Sequence, residues 1–171
     1  MSLRFLALTA LFAFQFHHIQ SPNHDGLRGL PSISEGKEWS RVAYILKEDG
    51  WAWDATRRSD RYVFIIEKKK FKSLQLAKKF FEKVDFGGQH SPQRGSYTGR
   101  RLGDGSWFAG TAPYDSISGC ELLVISGQEI YGARLNVPAP KTLEDAKPIP
   151  MSQRKFLEDL VLEVINSQPK P

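Results

Sequence analysis

The stretch CELLVISGQEIYGARLNV, residues 120–137, reads as two extended segments about a turn. Residues 121–126 and 129–137 are rich in β-branched and aliphatic side chains. Gly127-Gln128 between them is a two-residue loop whose glycine can supply positive φ. So short a connection joins antiparallel strands, because a parallel pair needs a crossover of a dozen residues or more. Cys120 opens the apolar run. It is the single cysteine of the chain, so it has no intramolecular disulfide partner and reads as a small buried hydrophobe in a strand.

Upstream, residues 41–47 (RVAYILK) and 61–67 (RYVFIIE) have the same strand composition, and Trp51-Ala52-Trp53 reads as a short strand after an Asp49-Gly50 turn. Ser73 stands at an N-cap position before Leu74, Ala77, Phe81 and Val84, whose spacing puts them on one helical face. Lys78, Lys79 and Lys83 take the other faces, and Gly87-Gly88 ends the helix. Residues 89–96 read as a loop carrying Pro92 and Gly95, followed by extended segments at 97–102 and 106–109 on either side of Gly103-Asp104-Gly105.

Downstream, Pro138, Pro140, Pro148 and Pro150 forbid regular structure until Ser152, the expected N-cap of a final helix. Phe156, Leu157, Leu160, Val161, Val164 and Ile165 form its apolar stripe. Strands, helix, strands, helix, with mostly short turns, is an α+β pattern. We expect an antiparallel sheet of five to seven strands, covered on one side by two helices.

The 171 residues suit one domain, with 40% hydrophobic and 25% charged residues. Met1 to Arg4 make a short basic start before an uncharged apolar run of twelve residues, 5–16 (FLALTALFAFQF), which is the layout of a signal peptide. The run is shorter than the roughly 20 residues of a bilayer span. No A-x-A cleavage site follows it, and the competing reading is a buried or amphipathic N-terminal helix. Residues 21–37 are rich in Gly, Pro, Ser and Asn and read as a linker. The expected organisation is therefore 1–20 signal segment or short anchor, 21–37 linker and 38–168 folded domain, in an exported protein that is periplasmic, at the cell surface or secreted.

Two stretches carry a resemblance: EKKKFKSLQLAKKFF, residues 67–81, and GRRLGDGSWF, residues 99–108, ahead of the hairpin. Together they resemble a loose group of bacterial exported α+β domains, similar in layout to sensor-like and PsbP-like extracytoplasmic modules. The resemblance implies export and fold and transfers no active site.

Charge is unevenly distributed. Residues 57–101 hold thirteen Lys or Arg against four Asp or Glu, a local +9, while the rest of the chain is −4. A basic face attracts anionic partners such as anionic lipid or envelope polymer, and a solvated face that only keeps the protein soluble is the plainer reading. No nucleic-acid motif is present. Arg57, Arg58, Lys68, Lys70, Arg100 and Arg101 are the candidate ligand-binding cations, with Trp51, Trp53 and Trp107 as aromatic platforms or as core. For catalysis, Ser106, His90 and Asp104 can be imagined as a hydrolase set, but Ser106 does not lie in a G-x-S-x-G elbow. His17, His18, His24 and Asp25 lack a scaffold for a metal. We expect no cofactor and no metal, and an exported non-enzymatic binding or interaction module for an anionic or amphipathic partner. A secreted hydrolase and a purely structural domain are the alternatives.

Overall fold

A computed structural model describes residues 35–83, 93–96, 98–109, 119–138 and 147–168, together with 31, 33, 141, 142 and 145. Residues 1–20, read as a signal segment, His90, and Gly87-Gly88, read as a helix end, lie outside the described residues. Within them the chain runs β1 (Trp39–Lys47), β2 (Gly50–Arg57), β3 (Val63–Lys70), α1 (Leu74–Lys83), β4 (Gln93–Arg94), β5 (Gly105–Ala109), β6 (Gly119–Ser126), β7 (Glu129–Asn136) and α2 (Met151–Ser167). Six full strands, extended by the two-residue β4, form one antiparallel sheet in the order β1-β2-β3-β7-β6-β5-β4. The protein is thus an α+β fold in which two meanders meet where β3 pairs with β7.

The hairpin of residues 120–137 forms as the sequence predicts, with Gly127 at φ 56° in its turn. The first hairpin turns one residue earlier than expected, at Glu48-Asp49, and Gly50 opens β2 opposite Lys69. A Cβ on Gly50 would lie 1.8 Å from the Lys68 carbonyl oxygen, so close strand approach requires glycine there. The short strand expected at Trp51-Ala52-Trp53 runs on to Arg57. Residues 98–102, expected to be extended, belong to no strand.

The helices lie on opposite faces of the sheet, where one-sided cover was expected. Along β6, Cys120, Leu122 and Val124 belong to the main core, with Leu157, Leu160, Val161 and Val164 of α2. The alternate residues Leu123 and Ile125 join Trp107, Ile130 and Ala77 of α1 in a second cluster. Residues that alternate along a strand face opposite sides, so β6 is buried on both. The unbroken Leu122-Leu123-Val124-Ile125 run carries that two-sided signal.

Each helix departs from its expected phase or cap. In α1, Ser73 caps as predicted: its Oγ accepts the Leu76 N–H at 3.2 Å. The buried stripe is rotated, however. Ala77 is fully buried, Phe80 and Phe81 pack beside it, and Leu74 is 42% exposed. The Phe80 ring lies 5.2 Å from Phe71 and the Phe81 ring 5.6 Å from Trp107, and large rings bury more area than Leu74 would. In α2, Pro150 rather than Ser152 is the N-cap, and its fixed φ of −58° suits that position. The residues read as a linker contribute to the body as well: Pro31 is buried, Ile33 packs on the main core, and the Glu35 carboxylate accepts the Val42 N–H at 2.9 Å.

Cross-strand ion pairs mark the sheet face that α1 shares: Arg41 with Asp54 at 3.6 Å, Lys47 with Glu67 at 3.2 Å and Arg134 with Glu121 at 2.6 Å. Asp54 is the most buried acid of these pairs. Burial raises its pKa above the ordinary 3.8, and Arg41 only partly offsets this. A raised folded-state pKa favours folding below the unfolded value and loses that contribution as pH rises through the folded one. Asp54→Asn should therefore raise the urea midpoint at pH 7, on the order of 0.5 kcal/mol. The gain should vanish below about pH 3.8, and a midpoint lowered at pH 7 would contradict it.

Candidate functional site

The candidate cations divide by partner. Arg57 is taken up inside the body: its guanidinium lies 5.1 Å from the Phe64 ring centre and 5.7 Å from that of Phe156, and it donates to Asp60 and Gln153. Burial works against the Asp60 charge, but the bonds from Arg57 and the Tyr62 N–H outweigh it and hold its pKa below the ordinary carboxylate value. Lys68 bridges Glu129 at 2.8 Å and the Gln168 side-chain oxygen at 2.6 Å, tying β3 and β7 to the end of α2. Glu129 also accepts the Tyr131 hydroxyl at 2.6 Å, and burial first, then that bond, pushes the Tyr131 pKa far up.

Arg100 donates to Glu158 at 2.8 Å and to Asp159. Glu158 is fully buried on α2 and also accepts the Ser96 and Thr98 hydroxyls, each at 2.6 Å. Ser96, Thr98 and Arg100 are thereby clamped to α2 by one carboxylate. Arg58 is exposed and donates to the Gly36 carbonyl at 3.0 Å, and Arg101 is exposed ahead of buried Leu102.

The tryptophans form no shared platform with these cations. Trp51 and Trp53 are buried on the α2 face, 6% and 2% exposed, and Trp107 is buried on the α1 face. The hydrolase set is likewise dispersed among structural roles. Ser106, 7% exposed, donates to the Gly95 carbonyl at 2.8 Å, and Asp104 accepts the Gly127 N–H at 2.7 Å, pinning the start of β5 to the β6–β7 turn. Among the described residues no group of three His, Cys, Asp or Glu is placed to hold a metal.

What the fold does gather is the lysine surface of α1 and its approach. Lys69, Lys72, Lys78, Lys79 and Lys83 are all exposed, with Lys70 at the same end of β3 on the opposite sheet face. The acids in this region include Asp49, paired with Lys69 at 3.3 Å, its exposed neighbour Glu48, Glu129 opposite Lys70, and exposed Glu82 and Asp104. Lys69 also lies 5.7 Å from the centre of the Phe71 ring, and the Phe71 N–H donates to the Gln128 carbonyl, which fixes the approach to the helix. Ala77 faces the sheet, and the lysines at helical spacing turn away from it. Of the nine candidate residues named from the sequence, Lys70 lies at the strand end nearest this surface and Trp107 packs beneath the helix against Phe81. The Ser73 cap and the helical period already place Lys78, Lys79 and Lys83 off the core face.

The fold and this surface define the chain as an α+β protein with one lysine-rich helix laid on a sheet face. Family models, curated proteins and solved structures all fail to match it.

Proposed function

We propose that this chain is an exported, non-enzymatic binding module that engages an anionic partner through the lysine surface of α1 and the adjoining end of β3. Export rests on the basic start and the apolar run at residues 5–16. One observation carries the binding reading: Lys78, Lys79 and Lys83 stand exposed on a helix capped by Ser73 and packed through Phe80 and Phe81, with Lys69, Lys70 and Lys72 exposed on the approach to it. Several like charges on one low-dielectric scaffold sum to a positive potential that concentrates anions and is screened by salt.

Each lysine brought to an anionic surface contributes about 1 kcal/mol. The triple variant Lys78→Gln, Lys79→Gln, Lys83→Gln should therefore bind long-chain polyphosphate and anionic vesicles about 100-fold more weakly at low salt. Arg58→Gln with Arg101→Gln, which leaves the helix intact, should change binding by less than about threefold. Retention measured at about 0.05 M and about 0.5 M NaCl is the direct check, because screening contracts from beyond 10 Å to only a few ångström over that range. Salt-independent retention, or a triple variant that binds like the parent, would remove this reading.

A further inference from the structure

We infer that the anionic partner is a lipid bilayer surface, entered to a shallow depth by Leu76 while the lysines beside it bind its head groups. This deepens the anionic-partner reading and rests on it. Leu74 and Leu76 are 42% and 48% exposed, and both stand in the first turn of α1. Lys72 precedes them and Lys78 and Lys79 follow, all exposed. A soluble polyanion can pair with those lysines but offers nothing to a large aliphatic side chain. A bilayer interface satisfies both, taking apolar side chains into the acyl boundary while lysine stems extend and leave their ammonium groups among the phosphates.

The spacing fits that division. Leu76, Lys79, Phe80 and Lys83 follow one another at intervals of three, four and seven from Leu76, so they form a single ridge along the helix. Phe80 is half-buried and anchors the base of that ridge against Phe71, while Leu76 and the two lysines stand out from it. On the other flank Leu74 and Lys78 are again four residues apart and both exposed. Leu74 and Leu76 are two residues apart, about 200° around the helix, so a face laid on an interface presents Leu76 with Lys79 and Lys83 and not Leu74. The helix is already folded and capped in the free protein, so binding does not have to nucleate it. No described helix is long and apolar enough to cross a membrane, and a ten-residue helix lying on its own sheet suits contact in the plane of the interface.

The test uses the full chain with two probes: vesicles of phosphatidylserine and phosphatidylcholine, and long-chain polyphosphate without lipid. Leu76→Ser should weaken vesicle binding about tenfold and leave polyphosphate binding within about twofold, while Leu74→Ser, on the opposite flank, should leave both within about twofold. Far-ultraviolet circular dichroism establishes that α1 is retained, and Leu76→Phe, which keeps an apolar side chain, should restore vesicle binding. If Leu76→Ser binds vesicles like the parent, or loses both probes equally, the insertion is wrong. A parent chain that binds polyphosphate but not vesicles overturns the lipid assignment alone. A parent chain that binds neither removes the anionic-partner reading beneath it.

Discussion

Glu158→Ala is expected to lower folding stability by about 3 kcal/mol, the largest loss for any single polar substitution in this fold. The carboxylate is fully buried on α2 and gathers the Ser96 hydroxyl, the Thr98 hydroxyl and the Arg100 guanidinium. Removing it leaves three donors aimed at a hole. Arg100 keeps Asp159 and is 30% exposed, so it recovers water and one acceptor, which holds the cost below that of a fully stranded buried charge. The loss falls on the attachment of Ser96, Thr98 and Arg100 to α2. Guanidinium unfolding should therefore show a lowered midpoint, and limited proteolysis should open new cleavage within 96–101. Glu158→Gln keeps the shape and one acceptor and should cost about half as much. A stability within about 0.5 kcal/mol of the parent for Glu158→Ala would mean that the clamp does not hold this segment.

That clamp also explains which parts of the molecule the sequence discloses. Signals within a few residues are legible: the Gly127 turn, the Ser73 cap, and the strand composition of residues 41–47 and 121–126 all reappear in the fold. Contacts across long separations are not. Arg57 meets Gln153 and Arg100 meets Glu158 at separations of 96 and 58 residues, so a count of thirteen basic residues cannot distinguish a charge consumed inside the body from one presented to solvent. Phase is partly legible. Leu74, Ala77 and Phe81 share a helical face, but Phe80 competes for the core and wins because its ring packs at a tilt against Phe71, which turns Leu74 outward. The second buried face of the sheet was legible in the four consecutive aliphatic residues of β6, since one-sided cover demands alternation.

Phe64→Ala should cost about 3–5 kcal/mol, a large share of the 5–15 kcal/mol that holds a domain of this size together. Phe64 is fully buried in β3, between β2 and β7 near the middle of the sheet. Its ring meets Trp39 edge-on at 5.8 Å and Phe156 of α2 at 5.1 Å, with the Arg57 guanidinium 5.1 Å from its centre. Truncation removes the aromatic area and leaves a cavity bounded by two other rings, which relax little because Trp39 and Phe156 are themselves stacked at 6.2 Å. It also takes one ring from beneath Arg57, so a double-mutant cycle with Arg57→Ala should give a coupling of about 0.5–2 kcal/mol. Thermal unfolding should fall by roughly 10–20 °C. A loss below about 1 kcal/mol would show that the neighbouring rings close the gap. Phe64 faces α2 and the lysine helix lies on the other side of the sheet, so the variant below its melting temperature should still bind anionic vesicles like the parent. Loss of vesicle binding with the sheet still folded would instead mean that the two faces are energetically coupled through β3 and β7.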